Sequence, residues 1–211
     1  EVVASDIPIS SSGGTMAPEV ADHTMSLLLA FARGMDLAVE SKQQRNWELM
    51  WNSRPLFGLN ELTMGILGYG KIGNAVARRA KAFDMRVIGM CKTEKPTDGY
   101  ADCIVGSQKF TMVLSESDVV VVILPLTPET KNLIDSKAFR TMKQGSFLIN
   151  VARGPIINEK ALVDALRSGP IAGAGLDVFN TEPLPKDSPL WNIPNVIMTP
   201  HVGGVSLRLW N

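Results

Sequence analysis

Gly65-Ile66-Leu67-Gly68-Tyr69-Gly70-Lys71-Ile72-Gly73 joins a short apolar run to a G-x-G-x-x-G turn and the start of a helix. Each glycine has a separate physical task. Gly68 makes the tight turn, Gly70 lets backbone approach a pyrophosphate, and Gly73 lets the helix pack on the strand. The helix N-terminus then presents N–H groups and partial positive charge to phosphates. A lone glycine motif is weak, because glycines can serve a tight turn alone. Here strand, glycines and helix arrive in the order that a dinucleotide-binding unit requires.

Outward from this motif, short β-rich runs alternate with helical patterns. Strands are expected at 62–67, 86–90, 103–105, 119–124, 146–150, 171–176 and 196–198. Helices are expected around 72–83, 110–115, 136–141 and 159–167. Several runs, above all 119–124, are continuously apolar, as when helices cover both faces of a parallel sheet. The expected fold is therefore α/β, a doubly wound parallel sheet of the Rossmann type. Upstream, Pro18 and Glu19 open a helix whose Met25, Leu28, Leu29 and Ala32 keep helical spacing. It is apolar on most faces, so it is buried against the domain or against a second subunit.

Composition excludes other classes. The chain has 211 residues, 45% hydrophobic, with 21 basic and 21 acidic side chains. Zero net charge opposes a nucleic-acid binder, which needs a basic excess or stripe. The longest apolar run, 119–126, contains Pro125, whereas a spanning helix needs roughly 20 residues; no membrane association is expected. Two cysteines, Cys91 and Cys103, and two histidines do not make a thiolate zinc site or a disulfide framework, and no metal is expected. A reducing, cytoplasmic setting is the default. The chain opens at Glu1 without a methionine or a secretory leader and ends at Asn211 inside a helical pattern, which reads as a fragment.

Ligands of such sheets sit beyond the carboxyl ends of the strands, so chemistry is sought there. The second strand ends not in the acidic residue that holds an NAD ribose but in Cys91-Lys92-Thr93-Glu94-Lys95. A neutral tip does not repel a 2′-phosphate, and Lys92 and Lys95 can attract one, which points to NADP in preference to NAD. The lysines can equally be ordinary loop charges. After the fifth strand, Arg153 offers a planar fork suited to a substrate carboxylate, or a structural ion pair. After the seventh, His201 is a natural general acid–base. A neighbouring carboxylate would orient its ring, with Glu182 the first candidate and Asp177 the second. His23, inside the apolar helix, reads as structural.

Taken together, these residues resemble the D-isomer-specific 2-hydroxyacid dehydrogenases, and most closely their glyoxylate and hydroxypyruvate reductases. The matching stretches are Ala21-Asp22-His23-Thr24, the glycine motif, Leu124-Pro125-Leu126-Thr127-Pro128-Glu129-Thr130, Asn150-Val151-Ala152-Arg153-Gly154, Gly175-Leu176-Asp177-Val178-Phe179 with Glu182-Pro183, and Thr199-Pro200-His201-Val202-Gly203-Gly204. The resemblance implies hydride transfer between NADP or NAD and a small 2-keto or 2-hydroxy acid. It implies that Arg153 binds the substrate carboxylate and carbonyl oxygen, that His201 protonates that oxygen, and that Glu182 keeps His201 charged. Lys71 and Ile72 would contact the pyrophosphate. Cys91, Lys92, Leu124 and Pro125 would lie near the adenosine end, Val151, Ala152 and Asp177 near the nicotinamide, whose carboxamide Asp177 could bind, and Gly203 would also bind the cofactor.

The same resemblance implies a domain plan and a partner. Residues 1–13 would be a remnant of a substrate domain, 14–204 the dinucleotide-binding domain, and 205–211 the start of a helix returning to the substrate domain. The helix after Pro18 resembles the one that builds a homodimer interface. Glu182 stands where the related formate dehydrogenases carry glutamine. Two other readings stay open: a dinucleotide-sensing module like the family's co-repressors, and a truncated chain that binds cofactor without turnover.

Overall fold

A computed structural model describes residues 14–207. Seven strands form one sheet: β1 (Thr63–Leu67), β2 (Arg86–Cys91), β3 (Cys103–Gly106), β4 (Val119–Val122), β5 (Ser146–Asn150), β6 (Ile171–Leu176) and β7 (Val196–Met198). Across the sheet they run β3-β2-β1-β4-β5-β6-β7, and every neighbouring pair is parallel. The sequence expectation of a doubly wound parallel sheet is met, with the reversal of strand order falling between β1 and β4.

Helices cover both faces. They are α1 (Ala17–Arg33), α2 (Met35–Gln44), α3 (Leu49–Ser53), α4 (Lys71–Ala82), α5 (Phe110–Glu116), α6 (Ser136–Thr141) and α7 (Glu159–Ser168). The four valines of β4 show why its sequence is unbroken by polar residues. Val119 and Val121 join the core beneath α1 and α4, with Met25, Leu28, Ile66 and Val76. Val120 and Val122 join the opposite core, with Leu114, Phe139 and Leu162 from α5, α6 and α7. Side chains alternate sides along a strand, so a strand buried on both faces must be apolar at every position.

One strand boundary is corrected, two helices are added, and one open alternative is decided. β4 stops at Val122 rather than at 124: the Ile123 N–H still reaches Leu67 O at 2.8 Å, but the chain then turns away toward Pro125, which has no N–H for a ladder. α2 and α3 were not expected; α2 buries only Leu37, so it carries no apolar stripe to read. α1 buries Ala21, Met25, Leu28, Phe31 and Ala32 against α4, β5 and β6, which resolves its burial in favour of the domain. The expected extended piece at 7–9 lies outside the described residues, as does most of the helix expected over 205–211; Val205 and Ser206 are irregular.

Register aligns the strand ends. Met90, Leu67, Val122, Asn150, Leu176 and Met198 pair in one continuous row across the sheet. The next residue of each strand or loop, Cys91, Gly68, Ile123, Val151, Asp177 and Thr199, opens the segments that carry every candidate site residue.

Candidate active site

At the β1 tip, Gly68 has φ +106°, a conformation that favours glycine. An added Cβ would stand 2.5 Å from Ile123 O, so the turn also needs the missing side chain. Nothing lies within 4 Å of a Cβ placed at Gly70; that open side faces a cavity of about 360 Å³ lined by Gly14, Gly68, Gly70, Lys71, Ile72 and Ile123. Asp135 caps α6 and Asn158 caps α7 through side-chain oxygens, whereas α4 begins at Gly70 without a side-chain cap. Glycines, cavity and uncapped helix start fit a pyrophosphate. Gly73 is buried below them against the β1 end.

The β2 side of this cradle is organised by a residue that sequence reading missed. Asp98, in the loop after β2, accepts from Tyr69 Oη at 2.9 Å, from Asn74 Nδ2 at 2.6 Å and from the N–H groups of Tyr100 and Ala101. Burial opposes its ionisation, yet these bonds, Asn74 foremost, hold its carboxyl below the usual range. Burial first, then Asp98, pushes the Tyr69 phenol up. The loop bearing Lys92 and Lys95 is thereby pinned to the first turn of α4. Lys95 Nζ lies 5.6 Å above the Tyr69 ring. Lys92 is exposed, and its charge reaches Glu129 in the turn that follows Leu124 and Pro125. Cys91 turns inward, its thiol donating to Thr93 O at 2.8 Å.

Beyond β5, buried Asn150 shapes the next turn: its Oδ1 accepts from Ala152 N at 3.0 Å and its Nδ2 donates to Arg153 O at 3.2 Å. Val151 is half-buried, Ala152 buried, and Arg153 exposed. A Cβ at Gly154 would lie 2.0 Å from the Phe179 backbone, so the glycine lets the β5 and β6 loops touch. That contact brings Arg153 near Glu182, whose carboxyl feels the guanidinium charge.

Glu182 reaches His201 from the β6 loop. Its Oε2 lies 2.7 Å from His201 Nδ1, and its Oε1 accepts from Phe179 N at 2.9 Å. Burial raises the Glu182 carboxyl, but the bonds to His201 and Phe179, with the His201 and Arg153 charges, bring it below the usual glutamate value. Because an ionised carboxylate only accepts, Nδ1 carries a hydrogen toward Glu182. A cavity of about 580 Å³, lined by Phe179, Glu182, Leu184, Trp191, Met198 and His201 among others, adjoins the pair. Arg153, Glu182 and His201 are thus brought together.

Asp177, at the start of the β6 loop, is bonded to Gly203 of the β7 loop. Asp177 is 2% exposed, and its carboxylate accepts from Thr199 Oγ1, Val202 N and Gly203 N at 2.6, 2.9 and 2.8 Å. A carboxamide would have to share oxygens already engaged. Thr199 gave no chemical signal in the sequence, and His23, read as structural, lies beside it.

Comparison with known proteins agrees with this geometry. Residues 25–203 match the family model described as D-isomer specific 2-hydroxyacid dehydrogenase, NAD binding domain. A protein named glyoxylate reductase from Pyrococcus furiosus is 38% identical over 99% of this chain and 63% of its own, so the chain spans under two thirds of that relative's length. A crystal structure of a protein from Thermus thermophilus superposes with a TM-score of 0.85 at 40% identity, over 95% of this chain and 62% of that one. A D-isomer specific 2-hydroxyacid dehydrogenase from Xanthobacter autotrophicus, in complex with NADPH and MES, gives 0.84 at 35% identity, over 97% and 83%. The parallel sheet, the glycine cradle and the matched 25–203 region place the chain in the D-isomer specific 2-hydroxyacid dehydrogenase family, as its NAD-binding domain.

Proposed function

We propose that this chain is the dinucleotide-binding part of a reductase that converts a small 2-keto acid to its 2-hydroxy acid, with glyoxylate first and hydroxypyruvate second as substrates. The observation that carries the reading is the 2.7 Å contact of Glu182 Oε2 with His201 Nδ1, beside Arg153 on the adjoining loop. The enzyme names of the relatives compared favour catalysis over a sensing module.

Bound nicotinamide dinucleotide would supply the hydride. Gly68, Gly70, Lys71, Ile72 and Gly73 would hold its pyrophosphate, Cys91, Lys92, Leu124 and Pro125 its adenosine end, and Val151 and Ala152 its nicotinamide end. Arg153 pairs its planar fork with the substrate carboxylate and polarises the keto oxygen. His201 gives the Nε2 proton to that oxygen, while its Nδ1–H stays on Glu182. NADPH is preferred to NADH: Cys91 leaves the β2 tip without a carboxylate, and Lys92 is exposed beside it.

The domain plan of the sequence reading is kept: 1–13 and 205–211 lead to a substrate domain, and 14–204 bind the dinucleotide. A homodimer is supported less by α1, whose apolar side chains are buried in the domain, than by α2 and α3. There Trp47 and Trp51 are 86% and 82% exposed beside a cavity of about 760 Å³, and exposed apolar patches of this kind mark interfaces. No helix among the described residues is long and apolar enough to cross a membrane; a reducing, cytoplasmic setting follows from the sequence reading.

The test is binding and oxidation of NADPH and NADH by the 211-residue chain, with glyoxylate and hydroxypyruvate offered in turn. Tighter binding of NADPH and glyoxylate-dependent oxidation that disappears in His201→Gln are expected. Tighter binding of NADH overturns the cofactor preference, and oxidation that survives His201→Gln overturns the acid–base assignment.

A further inference from the structure

His201 has φ +56°, a backbone conformation that non-glycine residues hold only where the surroundings enforce it. Its own N–H reaches Thr199 O at 3.0 Å, a bond within the same loop. The outside force comes from both flanks of the histidine. Before it, Thr199 Oγ1 donates to Asp177 Oδ1 at 2.6 Å; after it, the N–H groups of Val202 and Gly203 donate to Asp177 Oδ1 and Oδ2. One buried carboxylate therefore clamps the loop on both sides.

The clamp has one further member, from the other end of the chain. His23 Nε2 lies 2.9 Å from Thr199 Oγ1 and 3.4 Å from Asp177 Oδ1. The single hydroxyl hydrogen of Thr199 is committed to Asp177, so at the 2.9 Å contact Nε2 must be the donor. His23 therefore carries its hydrogen on Nε2 and directs it at the Thr199–Asp177 pair. Leu27, one turn along the same face of α1, packs on Gly175 of β6, which fixes the helix two residues before Asp177. A histidine serving only as packing would need no donor at this point.

We propose that His23 is a positioning residue for His201: through Thr199 and Asp177 it holds the loop that presents the His201 imidazole. The proposal rests on the reading of His201 as the acid–base, and the two are separable by experiment.

The chain has only two histidines, so histidine-labelled protein gives two imidazole Cε1–H signals by NMR, and a His23 variant leaves His201 alone. His23→Gln keeps an N–H near the position of Nε2; His23→Leu removes the donor at similar bulk. The His201 signal is expected at its wild-type position in His23→Gln, and shifted and broadened in His23→Leu. An unmoved signal in His23→Leu, or equal displacement by both variants, overturns the proposal. Should His23→Leu not fold, Thr199→Val deletes the hydroxyl that links His23 to Asp177; it is expected to displace the signal, and no displacement overturns the clamp. None of these readouts needs turnover. Oxidation that survives His201→Gln would remove the acid–base reading while the NMR result still decides the clamp.

Discussion

Glu182 holds His201 with one oxygen and its own loop with the other: Oε2 meets Nδ1 at 2.7 Å while Oε1 takes the Phe179 N–H at 2.9 Å. The carboxylate is thus a double acceptor between two donors, a requirement that an isosteric amide cannot meet.

Glu182→Gln must turn an NH₂ toward one of those two donors. Hydrogen bonds to charged groups contribute about 1.5–3 kcal/mol, so turnover is expected to fall about 10- to 100-fold, with the Kd for NADPH changed less than about two-fold. His201→Ala is expected to go further, by about 10²–10⁴, again with cofactor binding spared. Equal loss of turnover and binding in either variant counts against the assigned roles. Steady-state rates and fluorescence titration check both.

Lys92→Glu places a carboxylate beside the β2 tip, where a 2′-phosphate would lie. The ratio of NADPH to NADH affinity is expected to drop by about ten-fold, equivalent to about 1.4 kcal/mol. Parallel titrations read it, and an unchanged ratio rejects the part given to Lys92.

Two glycines should separate stability from binding. Gly154→Ala drives a Cβ to 2.0 Å from the Phe179 backbone; overpacking of this kind costs about 1–3 kcal/mol, lowering Tm by several degrees. Gly70→Ala meets nothing within 4 Å, so Tm stays nearly constant while the new methyl weakens dinucleotide binding. Thermal melts with and without NADPH test the pair.

The acid limb of stability follows from Asp98, Asp102 and Glu182. Burial opposes ionisation of each, and their hydrogen bonds outweigh it, so all three carboxyls titrate below their ordinary values. A depressed folded pKa gives stability that is present above the unfolded value and lost as pH falls through the folded one. Urea midpoints are therefore expected to be level above about pH 5 and to decline below about pH 4. Asp102 accepts from Val87 N at 2.7 Å and from Lys81; Asp102→Asn should lower the plateau and flatten the decline.

Trp51→Ser with Trp47→Ser removes the exposed aromatic surface of α3 and the turn before it. Sedimentation is expected to show a dimer in the parent chain and a monomer in the double variant, with the thermal melt of the monomer retained.

The strands were legible because each is mostly a short apolar run, with polar residues such as Thr63, Arg86, Ser146 and Asn150 confined to strand ends. The glycine cradle was legible because its geometry demands glycine at fixed spacing. α2 was not, since a helix that buries one leucine has no stripe to display. Arg153, Glu182 and His201 stand out in the sequence as charged or titratable residues just past strand ends, and the fold brings Glu182 to His201. Asp98 and His23 were not assigned their structural parts, because each acts through partners that are remote in the chain: Tyr69 for Asp98, and Thr199 for His23. A sequence displays local periodicity, while a hydrogen bond between distant residues leaves no spacing to read.

The order of the sheet bears on how the chain is made. β2 lies between β1 and β3, so these three can pair as soon as they leave the ribosome. The middle joint is different: Met64 of β1 must wait for Val119 of β4. α1, the first of these helices to be synthesised, packs on α4 early but meets β5 and β6 only after β4 has followed. Until β5 and β6 follow, Leu27 and Phe31 are therefore without their final cover, and a nascent chain with uncovered apolar surface is a substrate for aggregation and for chaperones. The helix that seats the His201 loop is thus made before the strands that secure it.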